Sequence, residues 1–237
     1  MYKRVLLKLS GEALKQNDPS ILDTKYLKDV CLMIKDLVNK GVQIGVVIGA
    51  GNIWRGKIAK DIGIDHAQAD YMGMMGTVIN ATAVSAMLKE VGVDSVVFSA
   101  INAPKEIATP YSKEEAEAAL NEGKVVFLAG GTGRPFFTTD TASTLRAIEL
   151  NMDAILMGKN GVEGVYDSDP NKNKDAKFIK TITFDEIINL NLQVMDITAV
   201  QLLVDKNIEI RVFSMSDLTN FIRVCEGEDI GTTCKRG

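Results

Sequence analysis

The stretch Val42-Gln-Ile-Gly-Val-Val-Ile-Gly-Ala-Gly51 decides the fold class of this chain. Its first seven residues are almost continuously apolar, which is typical of a strand buried on both faces of a parallel sheet. The small residues Gly49, Ala50 and Gly51 then end the strand and let the backbone come close to a ligand. The stretch therefore predicts an α/β domain with a binding site at the end of this strand.

Strand and helix patterns alternate on both sides of this stretch. The predicted strands are 4–9, 42–48, 95–99, 125–129, 154–157 and 209–213, the predicted helices are 24–40, 67–90, 113–121, 139–151, 184–189, 196–206 and 218–225, and 158–177 is expected to be a loop. This alternation predicts a three-layer α/β sandwich with a central, mainly parallel sheet. We expect one domain over residues 1–237.

Composition excludes several classes of protein. The chain has 237 residues, of which 46% are hydrophobic and 24% charged, so it is not disordered or fibrous. A net charge of −4 argues against nucleic-acid binding. Cys31, Cys225 and Cys234 lie far apart, which predicts free thiols in a reducing cytoplasm and no metal-site spacing. We find no signal-peptide pattern and no apolar run of about 18 residues, so no membrane segment is expected.

The predicted helix 67–90 is unusually rich in Met, Ala, Gly and Thr and has little charge before Lys89. Such a helix is unlike a solvent-facing one, so we expect it to pack against another subunit.

Two predicted strands near the N-terminus end beside residues that could bind an anion. In Lys8-Leu9-Ser10-Gly11 a lysine sits in an apolar strand before a tight turn. It either binds a phosphate, or is a lysine that lies on an edge strand or extends its side chain to solvent. In the run from Gly49 to Gly56, backbone N–H groups can form an anion-binding concavity beside Arg55. The alternative is a simple turn over which Trp54 packs.

Two nucleotide-binding motifs fail in this region. The spacing Gly51-x-x-x-x-Gly56-Lys57 matches the start of a P-loop, but Ile58 stands where a hydroxyl must meet Mg²⁺. Trp54 occupies the place of the third glycine of a dinucleotide fingerprint. A P-loop NTPase and a dinucleotide-dependent oxidoreductase are therefore disfavoured.

Two later strand ends have the same character. Gly131-Thr-Gly-Arg-Pro-Phe-Phe-Thr-Thr-Asp140 leads into a helix, which Thr139 or Asp140 is expected to cap. Asp140 either orients a lysine or is only a cap. Lys159, Asn160, Tyr166 and Asp169 follow the next strand. That set suits a nucleotide, although a surface hairpin would look the same.

Together the four strand ends place two lysines, an arginine and several backbone concavities at one edge of one sheet. Two phosphate-handling sets predict two anionic substrates and phosphoryl transfer between them, which needs positioning and charge neutralisation rather than a nucleophilic side chain. His66, the only histidine, is not expected to act as a base. The competing hypothesis is a regulatory domain that binds nucleotide without transfer, and the combination of Lys8, Asp140 and Lys159 argues against it.

At these residues the sequence resembles the bacterial uridylate (UMP) kinases of the amino-acid kinase superfamily, in family order from Tyr2 to about Thr233. The motifs that carry the resemblance are Lys8-Leu-Ser-Gly-Glu-Ala-Leu14, Gly49-Ala-Gly-Asn-Ile-Trp-Arg-Gly56, Ala69-Asp-Tyr-Met-Gly-Met74, Gly131-Thr-Gly-Arg-Pro-Phe-Phe-Thr-Thr-Asp140 and Val194-Met-Asp196.

The resemblance implies transfer of a phosphoryl group from ATP, with Mg²⁺, to UMP in pyrimidine biosynthesis. It implies a UMP-binding lobe over about 1–150, an ATP-binding lobe over about 151–237, and a cytoplasmic homohexamer. The catalytic residues would be Lys8, Asp140 and Lys159. The ATP-binding residues would be Lys8, Leu9, Ser10, Gly11, Gly51, Arg55, Asn160, Tyr166 and Asp169. The UMP-binding residues would be Ala50, Asp70, Thr132, Gly133, Arg134, Pro135, Phe136, Phe137, Thr138 and Thr139. The metal ligands stay open, and Asp196 either binds a phosphate-linked Mg²⁺ or caps its helix.

Three departures from the family pattern change what we expect. Ala50 replaces the middle of three glycines, so its backbone contact requires that φ stays negative. Arg134 replaces a common Asn beside the uracil, which shifts base selectivity toward the backbone. The stretch Lys15-Gln-Asn-Asp-Pro-Ser20 is shorter than in members that GTP activates, so weak or absent GTP activation is expected.

Overall fold

The computed structural model describes residues 1–15 and 20–237. Residues 16–19, on which the expectation about GTP chiefly rests, lie outside the described residues.

A nine-stranded sheet forms the middle of the molecule. The strands of the described residues are β1 (Arg4–Leu9), β2 (Gln43–Ile48), β3 (Ser95–Ser99), β4 (Thr109–Pro110), β5 (Val125–Ala129), β6 (Ala154–Lys159), β7 (Val165–Tyr166), β8 (Phe178–Ile179), β9 (Thr181–Thr183), β10 (Glu209–Ser214) and β11 (Thr232–Lys235). The sheet order is β4-β3-β5-β2-β1-β6-β10-β11-β9, and β7 pairs with β8 in a separate two-stranded sheet. Over residues 1–15 and 20–237, only the β10–β11 pair of the large sheet is antiparallel, so the mainly parallel sheet is confirmed.

Helices cover both faces of the sheet. They are α1 (Gly11–Lys15), α2 (Thr24–Asn39), α3 (Gly56–Asp61), α4 (His66–Glu90), α5 (Lys113–Asn121), α6 (Thr139–Glu149), α7 (Phe184–Asn189), α8 (Ile197–Gln201) and α9 (Thr219–Cys225). One buried cluster packs α2, α4 and α9 against one face of the sheet. A second packs α5, α6, α7 and α8 against the opposite face. The three-layer sandwich predicted from the alternation is therefore confirmed.

Local sequence signals set the ends of the longer helices. Asp23 caps α2 by accepting hydrogen bonds from the backbone of Lys25 and Tyr26. Gly41 follows with φ +80°, a conformation that favours glycine. Thr183 and Glu186 form a reciprocal capping box at the start of α7.

Helix α4 is long and apolar enough, by length and composition alone, to cross a membrane. Core helices of globular proteins meet the same criteria, and 44% of its most apolar window is buried inside the molecule. Val84 and Leu88 belong to the core, whereas Tyr71, Met75 and Ile79 are exposed. The helix thus has one face in the core and a second, apolar face in solvent.

Four sequence predictions about the elements are wrong. The stretch 158–177 is not entirely loop, because β6 runs to Lys159 and β7 lies within it. The chain continues after α9 into β11. Helix α8 is confined to Ile197–Gln201 rather than 196–206. Helix α6 is capped by Thr138, not by Thr139 or Asp140.

Candidate active site

The four strand ends singled out by the sequence belong to four adjacent strands, in the order β5-β2-β1-β6. The register of the sheet places the ends of these strands at similar heights, since Leu9 lies opposite Ile48 and Lys8 opposite Met157. The carboxyl ends of parallel strands lie at one edge of a sheet, so the small-residue turns that follow β5, β2, β1 and β6 lie side by side there. We call this row of four turns the ledge. Lys8 lies in a central strand, which rules out the edge-strand alternative for this lysine.

Lys8 and Asp140 form the ion pair at the centre of this ledge. The Lys8 Nζ lies 2.7 Å from the Asp140 Oδ1, and each side chain is about one-fifth exposed. This partial burial makes the electrostatic interaction stronger than that of a fully solvated pair. Asp140 therefore orients a lysine, as one of the two sequence alternatives proposed.

The start of α6 places Asp140. Thr138 caps this helix by accepting hydrogen bonds from the backbone N–H groups of Asp140 and Thr141, at 3.0 and 3.2 Å. Its own hydroxyl donates to the Asp196 Oδ2. The first turn of α6 is thus tied both to itself and to a distant segment.

Asp196 links α6 to α8. Its Oδ1 caps α8 by accepting from the Ala199 N–H at 2.9 Å, and its carboxylate accepts from the Thr141 hydroxyl at 3.1 Å. The Asp196 N–H donates to the Asp140 Oδ2 at 3.3 Å. Of the two roles that the sequence left open, the structure shows the cap, together with a tether that sequence reasoning missed.

Lys159 ends β6 close to the Lys8 and Asp140 pair. Its Nζ donates to the Val194 carbonyl at 2.8 Å. Burial lowers the pKa of Lys159, and the nearby positive charge of Lys8 lowers it further, while Asp140 opposes the shift. The three predicted catalytic residues are therefore brought together.

A cavity of about 460 Å³ opens on one side of this cluster. Its lining includes Lys159, Tyr166, Asp169, Leu192 and Gln193. Tyr166 packs edge-on against Phe178, with ring centroids 5.5 Å apart. The Asn171 N–H bonds to Asp169 and lowers the pKa of its carboxyl, which keeps it ionised and able to accept hydrogen bonds.

A second cavity, of about 280 Å³, lies on the other side. It is lined by small residues, by Asp70 and Trp54, and by the start of α6: the predicted residues on it are Ala50, Gly51, Asp70, Phe137, Thr138 and Thr139. Thr132 to Phe136 are not among its lining residues, so only part of the predicted loop faces it.

Asp70 holds the loop before α6 in place. Its Oδ2 accepts from the Phe136 N–H at 2.7 Å. Phe136 has a φ of +72° and an exposed ring, and that ring meets His66 edge-on at 5.1 Å. His66 lies 3.7 Å from the Asp70 Oδ1 and is largely exposed, which makes it a neighbour of the site rather than part of its centre.

The Gly51 to Gly56 turn forms the outer rim of the ledge. Arg55 makes an ion pair with Glu12 and a 3.4 Å hydrogen bond to the Gly51 carbonyl. Both side chains of the ion pair are more than half exposed. Asn160 lines a 550 Å³ cavity here with Arg55 and Gly51, and not the one that holds Tyr166 and Asp169.

Ala50 and Leu9 are buried residues, just after the end of β2 and at the end of β1. The φ of Ala50 is not positive, so the condition for its backbone contact is met, and its methyl group faces Gly76 of α4. Leu9 is buried, and its carbonyl accepts from the Gly49 N–H at 3.0 Å. Arg134 is exposed and does not line the 280 Å³ cavity.

Comparison with known proteins decides the family. The model of the amino acid kinase family matches residues 3–214. The chain belongs to this family. It is 49% identical over 228 residues to the uridylate kinase of Mycoplasma capricolum, covering 96% of this chain and 95% of that one.

Solved structures agree with this assignment. The UMP kinase from Bacillus anthracis superposes with a TM-score of 0.95 at 39% identity, covering 99% of this chain and 96% of that one. The UMP kinase from Ureaplasma parvum gives 0.93 at 39% identity and full coverage of both chains.

Sequence reasoning missed several residues whose side chains contact and hold the turns of the site. Glu12 pairs with Arg55, and Thr77 accepts the Gly130 N–H at 2.8 Å through its hydroxyl. Asn52 and Asn80 exchange amide hydrogen bonds. Of these residues, Asn80 offered a signal, as an amide side chain within a helix rich in Met, Ala, Gly and Thr.

Proposed function

We propose that this chain transfers the γ-phosphoryl group of ATP to UMP, releasing ADP and UDP, as the names of its relatives indicate. The observation that carries the proposal is the Lys8, Asp140 and Lys159 cluster, beside which the 460 Å³ cavity reaches Lys159 and the 280 Å³ cavity reaches Thr139. Two phosphorylated substrates that enter from opposite sides would meet there.

Each substrate has a distinct place in this proposal. UMP occupies the 280 Å³ cavity, with Asp70 on its ribose hydroxyls and Ala50 contacting it through the backbone. Of the 132–139 stretch, Phe137, Thr138 and Thr139 line this cavity and lie against the uridine, and residues 132–136 contribute from outside the cavity lining. Adenosine occupies the 460 Å³ cavity beside Tyr166 and Asp169. The ATP phosphates extend toward Ser10, Gly11, Gly51 and Asn160. This arrangement makes about 1–150 the UMP-binding lobe, whose turns after β1 and β2 also reach the ATP phosphates, and about 151–237 the lobe that holds adenosine.

The lysines and arginine neutralise charge during the transfer. An oxygen of the UMP phosphate attacks the γ-phosphorus, the bond to the bridging oxygen breaks, and ADP leaves. Lys8 and Lys159 face the transferring group, Arg55 turns from Glu12 to the phosphates, and Asp140 keeps Lys8 in position. Such catalysis works by alignment and electrostatic stabilisation.

Mg²⁺ fits this site as a companion of ATP. Within 1–15 and 20–237 no cluster of three or more His, Cys, Asp and Glu side chains is arranged to hold a metal. Mg²⁺ commonly needs only one or two carboxylates besides phosphates and water. Asp140 is the carboxylate nearest the two lysines, and the ion adds further neutralisation of phosphate charge.

A coupled assay of ADP release with UMP, CMP, aspartate and glutamate tests the proposed activity. We expect UMP to be the preferred acceptor. Activity with glutamate or aspartate and none with UMP would move the chain to another branch of the family, and no ADP release would favour a binding-only regulatory protein.

We also propose that the chain forms a homohexamer in the cytoplasm, as its resemblance to the uridylate kinases implies. The apolar exposed face of α4 supports assembly with other copies of the chain. Light scattering should find an assembly, and a particle of only 25.8 kDa, the mass of one chain, would contradict it. The net charge of −4 supports the absence of nucleic-acid and membrane partners.

Weak or absent GTP activation completes the proposal. A titration of initial rates with GTP at subsaturating ATP tests it, and activation of several fold would show that it is wrong.

A further inference from the structure

Asn80 of α4 is a fully buried polar residue that the proposed reaction does not use. Its Nδ2 donates to the Gly49 carbonyl at 2.8 Å and to the Asn52 Oδ1 at 2.8 Å. Its Oδ1 accepts from the Asn52 Nδ2 at 3.0 Å. Asn52 also donates to the Ile21 carbonyl at 2.7 Å, so all four amide hydrogens of the pair have partners.

The orientation of the two amides follows from their surroundings. Gly49 and Ile21 both present carbonyl oxygens, which can only accept hydrogen bonds. Each amide must therefore turn its NH₂ group toward one of these carbonyls, and the remaining hydrogens and oxygens pair with each other. Because Asn80 is fully buried, any other orientation of its amide would leave one of its polar atoms without a partner, so the network specifies one geometry.

This amide pair lies where the two phosphate-handling turns touch. A Cβ atom on Gly11 would come within 3.0 Å of both the Gly49 carbonyl oxygen and the Asn52 Oδ1. The turn after β1 thus rests directly on the two groups that Asn80 holds. The Gly49 N–H in turn donates to the Leu9 carbonyl at 3.0 Å.

We propose that Asn80 is a positioning residue that sets the spacing between the Ser10-Gly11 turn and the Ala50-Gly51 turn. This inference rests on the proposed function, in which the first turn holds ATP phosphates and the second lies between ATP and UMP. Asn80 cannot touch either substrate because it is fully buried. It acts through the Gly49 carbonyl and through Asn52.

The spacing matters because phosphoryl transfer depends on alignment. A displacement of about 1 Å between reacting groups can lower a rate by roughly 100-fold. Binding of each nucleotide by itself depends less on the distance between the two turns. The inference therefore predicts a change in kcat that exceeds the changes in the two KM values.

The test compares Asn80→Ala with Ser85→Ala by initial rates over a grid of UMP and ATP concentrations. Ser85 is a matched control, since it is also a buried polar residue of α4, but its hydroxyl bonds to Ser95 far from the ledge. We expect Asn80→Ala to lower kcat at least tenfold with smaller changes in both KM values, and Ser85→Ala to stay within twofold of the wild type. An Asn80→Ala kcat within twofold of the wild type would overturn the inference.

Asn52→Ala provides a second variant. Asn52 lies in a partly exposed turn, so its replacement should destabilise the fold less than Asn80→Ala. If Asn80→Ala does not fold, Asn52→Ala decides, with the same expected fall in kcat and the same twofold threshold. Where both fold, the double variant should lose no more than the worse single one, since the pair acts as a unit. Multiplicative losses would overturn the inference.

The outcomes also separate this inference from the proposed function. A wild-type protein that turns over UMP while the Asn80 and Asn52 variants match it would contradict the positioning role alone. A wild-type protein without activity on UMP would contradict both.

Discussion

The centre and the rim of the ledge use the same chemistry in different surroundings. At the centre, Lys8 and Asp140 are mostly buried, and Asp140 is held by α6 and by the backbone of Asp196. At the rim, Arg55 and Glu12 are more than half exposed, and the Arg55 guanidinium has one further partner, the Gly51 carbonyl. Each place has one ion pair among the described residues, so the number of ion pairs does not distinguish them. Burial and supporting contacts hold Lys8 in place, whereas the exposed Arg55 can exchange Glu12 for a ligand at little cost.

The largest expected effect is at the centre. Lys8→Ala should lower kcat by about 100- to 1,000-fold, since removing one transition-state contact costs roughly 3–4 kcal/mol. The fold should persist, which circular dichroism and a melting curve would check. Lys124→Ala, which breaks an exposed pair with Glu122, is the control and should leave kcat unchanged. A near-normal kcat for Lys8→Ala would remove it from the centre.

Titration of Lys159 tests the burial of the centre. Burial and the charge of Lys8 lower its pKa, so it should lose its proton at a lower pH than the ordinary lysines, which titrate near about 10.4. NMR titration of labelled lysine side chains measures this. In Lys8→Met the transition should move to higher pH, because a neighbouring positive charge is gone. A Lys159 that titrates with the exposed lysines would contradict the comparison.

Replacement of Asp70 should have a kinetic effect smaller than that of Lys8→Ala. Asp70→Ala should raise the KM for UMP by about tenfold, the loss of one or two hydrogen bonds to a charged group, with little change for ATP. Steady-state kinetics with each substrate varied in turn would show this. Asp94→Ala, at an exposed carboxylate beyond α4, should change neither KM. An unchanged KM for UMP would place Asp70 outside the site.

Asp196→Ala should affect stability and activity together. Loss of the α8 cap should cost about 1 kcal/mol of unfolding free energy, and release of Thr138 should also lower kcat. Ser112→Ala, which removes the cap of the distant α5, should lower stability similarly without a kinetic effect. Urea unfolding and initial rates measure the two. Equal kinetic behaviour of both variants would show that the tether does not position Asp140.

The smallest effect is expected at the rim. Glu12→Gln should change the free energy of unfolding by less than about 1 kcal/mol, as exposed ion pairs usually do. Glu149→Gln should cost more, because Glu149 pairs at 2.6 Å with the largely buried Arg146 and accepts from the Tyr111 hydroxyl. Urea unfolding of both variants makes this comparison directly. A larger loss for Glu12→Gln would reverse our description of the rim.

Much of the fold followed from local patterns. The apolar run 42–48 and the periodicity of 24–40 are properties of neighbouring residues, so the strand and the helix were predictable. The strands β4, β7, β8, β9 and β11 were missed, since two to four residues carry too little periodicity. The short helices α1 and α3 were missed for the same reason. The shorter α8 was also not predictable, because the chain after Gln201 has a helical pattern without forming the regular helix.

The sequence by itself determined that strands end in small-residue turns beside Lys8, Arg55, Asp140 and Lys159, because these features lie next to one another along the chain. Only the tertiary structure decided that β5, β2, β1 and β6 are neighbours, that Asp196 reaches α6, and that Asn80 holds Gly49. The physical reason is that such contacts join residues far apart in the chain, where a single sequence records the residue types but not which of them will meet.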